Sequence, residues 1–131
     1  GTTTGRPRRC GWFDGVASRF SQRVNGFTGM VITRFDILDI LPTLKVCTGY
    51  KLNGKVINYF PANINVLAKC EPVYEEMPGW LTSTENVREY KDLPAAAKNY
   101  VKRMEELSGC PANLIGVGPA RGQIIEKSPI I

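Results

Sequence analysis

The helical pattern over residues 93–108 constrains the fold of this chain more than any other feature. Apolar side chains recur there at helical spacing and form one stripe, whose members are Leu93, Ala97, Tyr100, Val101, Met104 and Leu107. Pro94 suits the first turn of a helix, and Gly109 is of a type that ends one. A one-sided apolar stripe is stable only when another layer covers it. We therefore expect a core helix here and not a cofactor-binding face.

Strand-like and helical segments alternate along the rest of the chain. Residues 30–33 are nearly continuous in apolar and β-branched types, which predicts a buried strand. Asn53 and Gly54 separate two alternating runs, and this dipeptide predicts a β-hairpin. Residues 112–119 predict a strand that runs into a glycine turn, and residues 123–126 predict a short last strand. Asp14 fits the N-cap of a second main helix, which ends at Asn25 and Gly26.

The segments between these elements predict shorter structure. Residues 37–41 predict one helical turn, residues 63–69 a short helix and residues 71–77 an extended piece. Residues 81–92 are polar and irregular, which predicts a surface loop. Because helix and strand patterns interleave, we expect an α/β fold with a β-hairpin and two main helices, in a single segment over residues 1–131.

Length and composition limit the classes of protein that fit. The 131 residues, 43% hydrophobic and 22% charged, are typical of one compact globular domain. No apolar run approaches the roughly 20 residues that a membrane span needs. The chain shows no signal peptide and begins at Gly1, inside a motif, so we expect a piece of a longer chain.

The cysteine and histidine content argues against a metal site and against catalysis by histidine. The four cysteines are far apart, without a Cys-x-x-Cys pair, at Cys10, Cys47, Cys70 and Cys110. A structural zinc site normally has closely spaced ligands, so we expect reduced thiols and no metal site in this chain. The chain has no histidine, which excludes histidine-dependent acid–base catalysis by its own residues.

The first twelve residues concentrate groups that bind anions. Three threonine hydroxyls precede Gly5, and Arg6, Arg8 and Arg9 follow with no acidic residue before Asp14. Hydroxyls and guanidinium groups recognise carboxylate and phosphate. These arginines supply three of the five net positive charges, which favours a local anion site over an extended basic face. A disordered basic tail and an arginine-led nucleic-acid-binding domain are the alternatives.

The same segment resembles a known family. Residues 3–12 read Thr-Thr-Gly-Arg-Pro-Arg-Arg-Cys-Gly-Trp, which is similar to the signature loop of adenylosuccinate synthetase, the enzyme that joins aspartate to inosine monophosphate using GTP. Other stretches agree in order, at residues 24–28, 36–39, 50–55, 59–63, 74–75, 78–80, 92–94 and 99–100. The resemblance identifies the chain as the C-terminal third of the family's P-loop-type nucleotide-binding α/β fold, which has a central, mostly parallel sheet.

The resemblance implies ligands for the opening loop, residues 1–12. Its aspartate-binding residues would be Thr2, Thr3, Thr4, Gly5, Arg6, Pro7 and Arg8. Arg6 would also bind inosine monophosphate, and Arg8 the phosphates of GTP. An arginine suits such a double role because its planar fork can bridge two anions. Pro7 stands where some members of the family carry a basic residue.

The resemblance also implies a guanine pocket built from residues 29–36 and 112–119. Its GTP-binding residues would be Arg34, Phe35, Asp36, Gly116, Val117 and Gly118. A carboxylate at Asp36 can accept hydrogen bonds from both N1–H and the exocyclic amine of guanine. The family has lysine at the position of Arg34, and a guanidinium plane can stack on a purine as well as a lysine stem does. The alternative is that Asp36 caps the helical turn that follows it.

For function, the resemblance implies a cytoplasmic, homodimeric ligase of purine nucleotide biosynthesis. It would convert GTP, inosine monophosphate and L-aspartate to GDP, phosphate and adenylosuccinate. The chain has no glycine-rich lysine motif and no histidine, so we expect the catalytic residues and the Mg²⁺ site to lie outside it. Alone, the chain should be inactive and could fold poorly. The alternative is a non-catalytic GTP-binding module.

Overall fold

We describe residues 1–129 from a computed structural model of the chain. The strands are β1 (Phe13–Asp14), β2 (Met30–Ile32), β3 (Thr43–Leu52), β4 (Lys55–Ile57), β5 (Glu71–Pro78), β6 (Ala112–Gly116) and β7 (Ile124–Glu126). The helices are α1 (Gly15–Asn25), α2 (Ile64–Leu67) and α3 (Ala95–Ser108). Two 3₁₀ turns span Phe35–Leu38 and Tyr90–Asp92. In this part of the chain no helix is long and apolar enough to cross a membrane.

The strands form two sheets. In the first, β3 pairs with β1 in parallel and with β4 and β5 in antiparallel. In the second, the order is β2-β6-β7, where β2 is parallel to β6 and β7 is antiparallel. The α/β class is therefore confirmed, but the expected mostly parallel sheet needs correction, because both sheets within residues 1–129 are mixed. Tight connections such as the one between β3 and β4 allow only antiparallel pairing, which explains the mixture.

Local sequence signals account for the ends of the main elements. The Asp14 carboxylate accepts from the N–H groups of Val16 and Ala17, both at 3.0 Å, which confirms the predicted N-cap of α1. The hairpin is also confirmed. Asn53 and Gly54 both have positive φ, 51° and 80°, as the favoured two-residue hairpin turn requires. Gly109 ends α3 in the left-handed region, as the pattern predicts.

The main core lies where α3 packs over both sheets. The predicted stripe is confirmed as core, with Ala97 and Val101 fully buried and Leu107 partly buried at its end. Beside it, the ring of Phe35 stacks on Trp80 at 4.9 Å between centroids, and Tyr100 closes the cluster. This cluster places the 3₁₀ turn after β2 directly against α3.

Two predictions about burial need correction. Strand β2 is not fully buried, since Val31 is 59% exposed and its neighbours are half-buried. It is the outermost strand of its sheet, so no strand within residues 1–129 covers its far edge. The segment 81–92 is mostly irregular, but it is more than a surface loop. Thr84 is completely buried within it, and a 3₁₀ turn occupies its end.

Candidate functional site

Two of the sequence-predicted segments meet at one end of the second sheet. Because β2 and β6 are parallel, with Ile32 opposite Ile115, the residues that follow both strands leave from the same edge. A Cβ placed on Gly116 would lie 3.6 Å from the carbonyl oxygen of Ile32 and from the Cα of Thr33. Gly116 is thus in contact with the backbone that leaves β2. Ligands of α/β proteins usually bind at such strand ends.

Asp36 is the most unusual side chain at this edge. Its Oδ1 atom is buried and has no hydrogen-bond partner. Asp36 lies inside the 3₁₀ turn Phe35–Leu38, whose N-cap residue is Arg34 and which has no side-chain cap, so the capping alternative is wrong. Leaving a buried acceptor unpaired costs about 1–3 kcal/mol. A ligand whose N–H groups donate to Asp36 would recover that cost.

The residues on either side of Asp36 show how the turn is built. Arg34 has a left-handed backbone, φ 57° and ψ 36°, which sequence reasoning did not anticipate. This conformation bends the chain out of β2 and leaves the Arg34 side chain exposed. Phe35 is only 1% exposed, with its ring in the core. Any contact of Phe35 with a ligand would therefore come from its backbone.

The glycine turn on the opposite side is held by Gln123. The N–H of Val117 donates to the Gln123 carbonyl oxygen at 2.9 Å, and the N–H of Ala120 donates to Gln123 Oε1 at 2.9 Å. A Cβ on Gly118 would overlap the end of the Gln123 side chain, so a larger residue here would displace that side chain. The Val117 side chain is fully buried. Only backbone groups of this turn can face a ligand at Val117.

A polar cluster behind Asp36 was missed by sequence reasoning. The Asp39 carboxylate accepts from Trp80 Nε1 at 2.6 Å, from the Thr84 backbone N–H at 2.7 Å and from the Thr84 hydroxyl at 2.9 Å. Trp80 lies 41 positions after Asp39 in the chain, and Thr84 lies 45 positions after it. No local spacing pattern connects residues at such separations, so the sequence offered no signal for this cluster.

The opening loop lies at the start of the other sheet. Residues 1–10 are all exposed, and Gly5 has a positive φ of 63°. The arginines of this loop take part in none of the ion pairs found among the described residues. At its far end, Trp12 and Phe13 pack against the main core, so the loop is anchored there.

Asp14 joins the opening loop to the fold. In addition to capping α1, it accepts a hydrogen bond of 2.5 Å from the phenol of Tyr50. Burial, followed by this bond to Asp14, raises the pKa of Tyr50 above its ordinary value. Burial also raises the pKa of the neighbouring Cys47 thiol, with a smaller contribution from the Asp14 charge. All four cysteines are free, as expected.

Comparison with known proteins gives a family for this arrangement. The family model described as adenylosuccinate synthetase matches residues 1–125. The chain belongs to the adenylosuccinate synthetase family. It is 64% identical over 127 residues to the adenylosuccinate synthetase of Dehalococcoides mccartyi strain 195, covering 97% of this chain. It is 58% identical over 126 residues to that of Heliobacterium modesticaldum, covering 96% of this chain.

A solved member of the adenylosuccinate synthetase family has the same fold. The structure described as fully ligated adenylosuccinate synthetase from Plasmodium falciparum superposes with a TM-score of 0.91 at 33% sequence identity. The match covers 98% of this chain and 31% of that chain. The chain likewise spans about 30% of the length of the curated relatives named above. The family resemblance seen in the sequence is confirmed by these matches.

Proposed function

We propose that the chain is the guanine- and aspartate-binding part of an adenylosuccinate synthetase, and that it corresponds to the C-terminal third of that enzyme. The enzyme would use GTP to join L-aspartate to inosine monophosphate, giving adenylosuccinate, GDP and phosphate for purine nucleotide synthesis. The family match and the 30% coverage of its relatives support this assignment. The observation that carries the binding role is the buried, unpartnered Oδ1 of Asp36 at the strand-end edge.

Base recognition follows from the chemistry of Asp36. Its carboxylate would accept from the N1–H and the exocyclic amine of guanine, and adenine has no N1–H to donate. A hydrogen bond to a charged group is worth about 1.5–3 kcal/mol. Gly116 and Gly118 would let backbone groups approach the base or its ribose closely. The exposed guanidinium of Arg34 would stack on the purine face in place of the family lysine.

Aspartate recognition is assigned to the opening loop. The hydroxyls of residues 2–4 and the guanidinium of Arg6 would bind the aspartate carboxylates, with Gly5 and Pro7 shaping the backbone between them. Arg6 would also reach inosine monophosphate, and Arg8 the GTP phosphates. The exposure of these groups and the lack of an acidic partner for the arginines among the described residues support this role.

The catalytic machinery is proposed to lie in the rest of the enzyme. Among residues 1–129 no group of three or more histidine, cysteine, aspartate or glutamate side chains could hold a metal ion. We therefore assign Mg²⁺, which would stabilise the phosphoryl charge, to residues outside this chain. The proposal includes a cytoplasmic homodimer as the working form and predicts no ligase activity from the chain alone.

The binding role is tested by titrating the chain with GTP and with ATP while amide resonances are followed by NMR. We expect GTP to bind at least about tenfold more tightly, because at least one charge-assisted hydrogen bond is lost with ATP. Asp36→Asn should remove this preference. Asp92→Asn is the matched control, since it removes the same charge at an exposed position. Equal affinity for GTP and ATP in the unmodified chain would overturn the binding role.

The enzymatic role needs a second experiment. The chain is co-expressed with the remaining part of the Dehalococcoides mccartyi relative, and adenylosuccinate formation is measured with Mg²⁺ and the three substrates. Activity that requires both parts is expected. GTP preference without activity in the reconstituted protein would instead favour a non-catalytic GTP-binding module.

A further inference from the structure

We propose that Asp39 is a positioning residue for nucleobase selection, because it holds Asp36 in register with the glycine turn at 116–118. This inference rests on the proposed guanine-binding function and assigns a role that Asp36 cannot fulfil alone. Asp39 would not touch the base. It would act through Trp80 and Thr84, which connect it to both sides of the strand-end edge.

The first connection runs from Asp39 to Asp36 through stacked rings. The Asp39 carboxylate fixes the Trp80 indole through the 2.6 Å bond to Nε1. The Trp80 ring stacks on Phe35 with centroids 4.9 Å apart and planes 18° from parallel. Phe35 precedes Asp36 directly, and Asp36 Oδ1 has no hydrogen bond of its own. The position of the Asp36 carboxylate is therefore set by the backbone that this stack holds.

The second connection runs from Asp39 to the glycine turn through the segment after Trp80. Thr84 donates to Asp39 with both its N–H and its hydroxyl, and it is completely buried. The next residue, Glu85, offers its carbonyl oxygen to Gln123 Nε2 at 3.5 Å. Gln123 in turn packs against Gly118. The same carboxylate thus ties together the two segments that would enclose a base.

Such a connection matters because recognition by two hydrogen bonds demands accurate placement. A binding group has to be held within about 0.5 Å of its productive position to keep its selectivity. Loss of the Asp39 contacts would leave the Asp36 carboxylate present but free to shift. A variant without these contacts would therefore lose selectivity between nucleobases, and this loss can be measured separately from its loss of folding stability.

The test compares Asp39→Asn and Thr84→Val with Thr84→Ser and Asp92→Asn. Trp80 and the Thr84 N–H donate to different oxygens of the Asp39 carboxylate, and asparagine has only one oxygen, so Asp39→Asn loses one of the two bonds. Thr84→Val removes the hydroxyl and keeps the shape of threonine. Serine keeps the hydroxyl, and the Asp92 change removes a charge at an exposed position that is not hydrogen-bonded to the cluster. Thr84→Val also serves as the milder variant if Asp39→Asn does not fold.

Two readouts separate positioning from general stability. The first is the amide chemical shifts of Phe35, Asp36 and Gly118 without nucleotide, which should move in Asp39→Asn and Thr84→Val but not in the two controls. The second is the ratio of affinities for GTP and inosine triphosphate, which lacks the exocyclic amine. We expect a ratio of about 10 or more in the unmodified chain, falling below about 3 in Asp39→Asn. Affinity for inosine triphosphate should fall less than affinity for GTP, because inosine triphosphate has only the N1–H bond to Asp36 to lose.

The outcomes distinguish a positioning role of Asp39 from a purely structural one. A parallel loss of affinity for both nucleotides would show a merely structural role and would overturn the inference. Unchanged amide shifts at Phe35 and Asp36 would overturn it as well, whether or not the unmodified chain binds nucleotide. If the unmodified chain shows no preference for GTP over ATP, the proposed function fails, and the shifts alone then decide whether Asp39 positions Asp36.

Discussion

Asp14 is the side chain whose removal should perturb the fold most informatively. It caps α1 through two N–H groups at 3.0 Å and accepts from the Tyr50 phenol at 2.5 Å. Loss of an N-cap costs about 1 kcal/mol. Loss of a hydrogen bond to a charged group costs about 1.5–3 kcal/mol. We therefore expect Asp14→Ala to lower the free energy of unfolding by about 3 kcal/mol.

A double-mutant cycle with Tyr50→Phe separates the two contributions. Tyr50→Phe should cost about 2 kcal/mol, and the double variant only about 3.5 kcal/mol, since both single changes remove the same bond. Asp14→Asn is the control, because asparagine is also a good N-cap and should retain the capping part. The assay is urea denaturation followed by tryptophan fluorescence. Additive losses, or a loss below about 0.5 kcal/mol for Asp14→Ala, would refute this account.

Two further predictions follow from the same structure. Burial and Asp14 raise the folded-state pKa of Tyr50, so the protonated phenol stabilises the folded state. This contribution to the free energy of unfolding is fully present below about pH 10. It is lost as pH rises further, by up to about 1.4 kcal/mol per pH unit. Denaturation between pH 9 and 11 should show this decline, and Tyr50→Phe should make it shallower. Gly79→Ala should destabilise by about 2–3 kcal/mol in the same assay, because its Cβ would overlap the Leu41 carbonyl oxygen. Gly122→Ala is the control, because the space around its Cβ is open, and its free energy of unfolding should stay within about 1 kcal/mol of that of the parent chain. An equal loss in both variants would contradict the overlap at Gly79.

Elements with short-range signals could be predicted from the sequence. The hairpin turn needs two residues with positive φ, and Asn53 and Gly54 are the types that supply them. The α3 stripe could be recognised because its burial follows from spacing within one helix. The number and mixture of the sheets could not be predicted this way. Pairings such as that of β2 with β6 join segments about 80 residues apart, and their direction depends on the whole path between them.

The candidate site was less accessible to residue-based reasoning than the fold was. From its neighbours alone, Asp36 is more consistent with a capping residue than with a ligand-binding one, and only the family resemblance favours guanine. The structure removes the capping alternative because the 3₁₀ turn has no side-chain cap. The position of Asp39 in a stretch that resembles the family did not reveal its contacts, since these depend on Trp80 and Thr84, which approach it only after folding.

The short stretch from Arg34 to Asp36 breaks two local rules at once. Arg34 adopts a left-handed backbone that costs a non-glycine residue about 1–2 kcal/mol, and Asp36 buries an acceptor without a partner. Such departures persist only where surrounding contacts hold them, and they concentrate at functional sites. Here the holding contacts are the stacked ring of Phe35 and the bonds to Asp39. In the proposed binding site, these contacts hold the Asp36 carboxylate in place before a ligand arrives, and the ligand would supply the hydrogen-bond donors that Asp36 lacks.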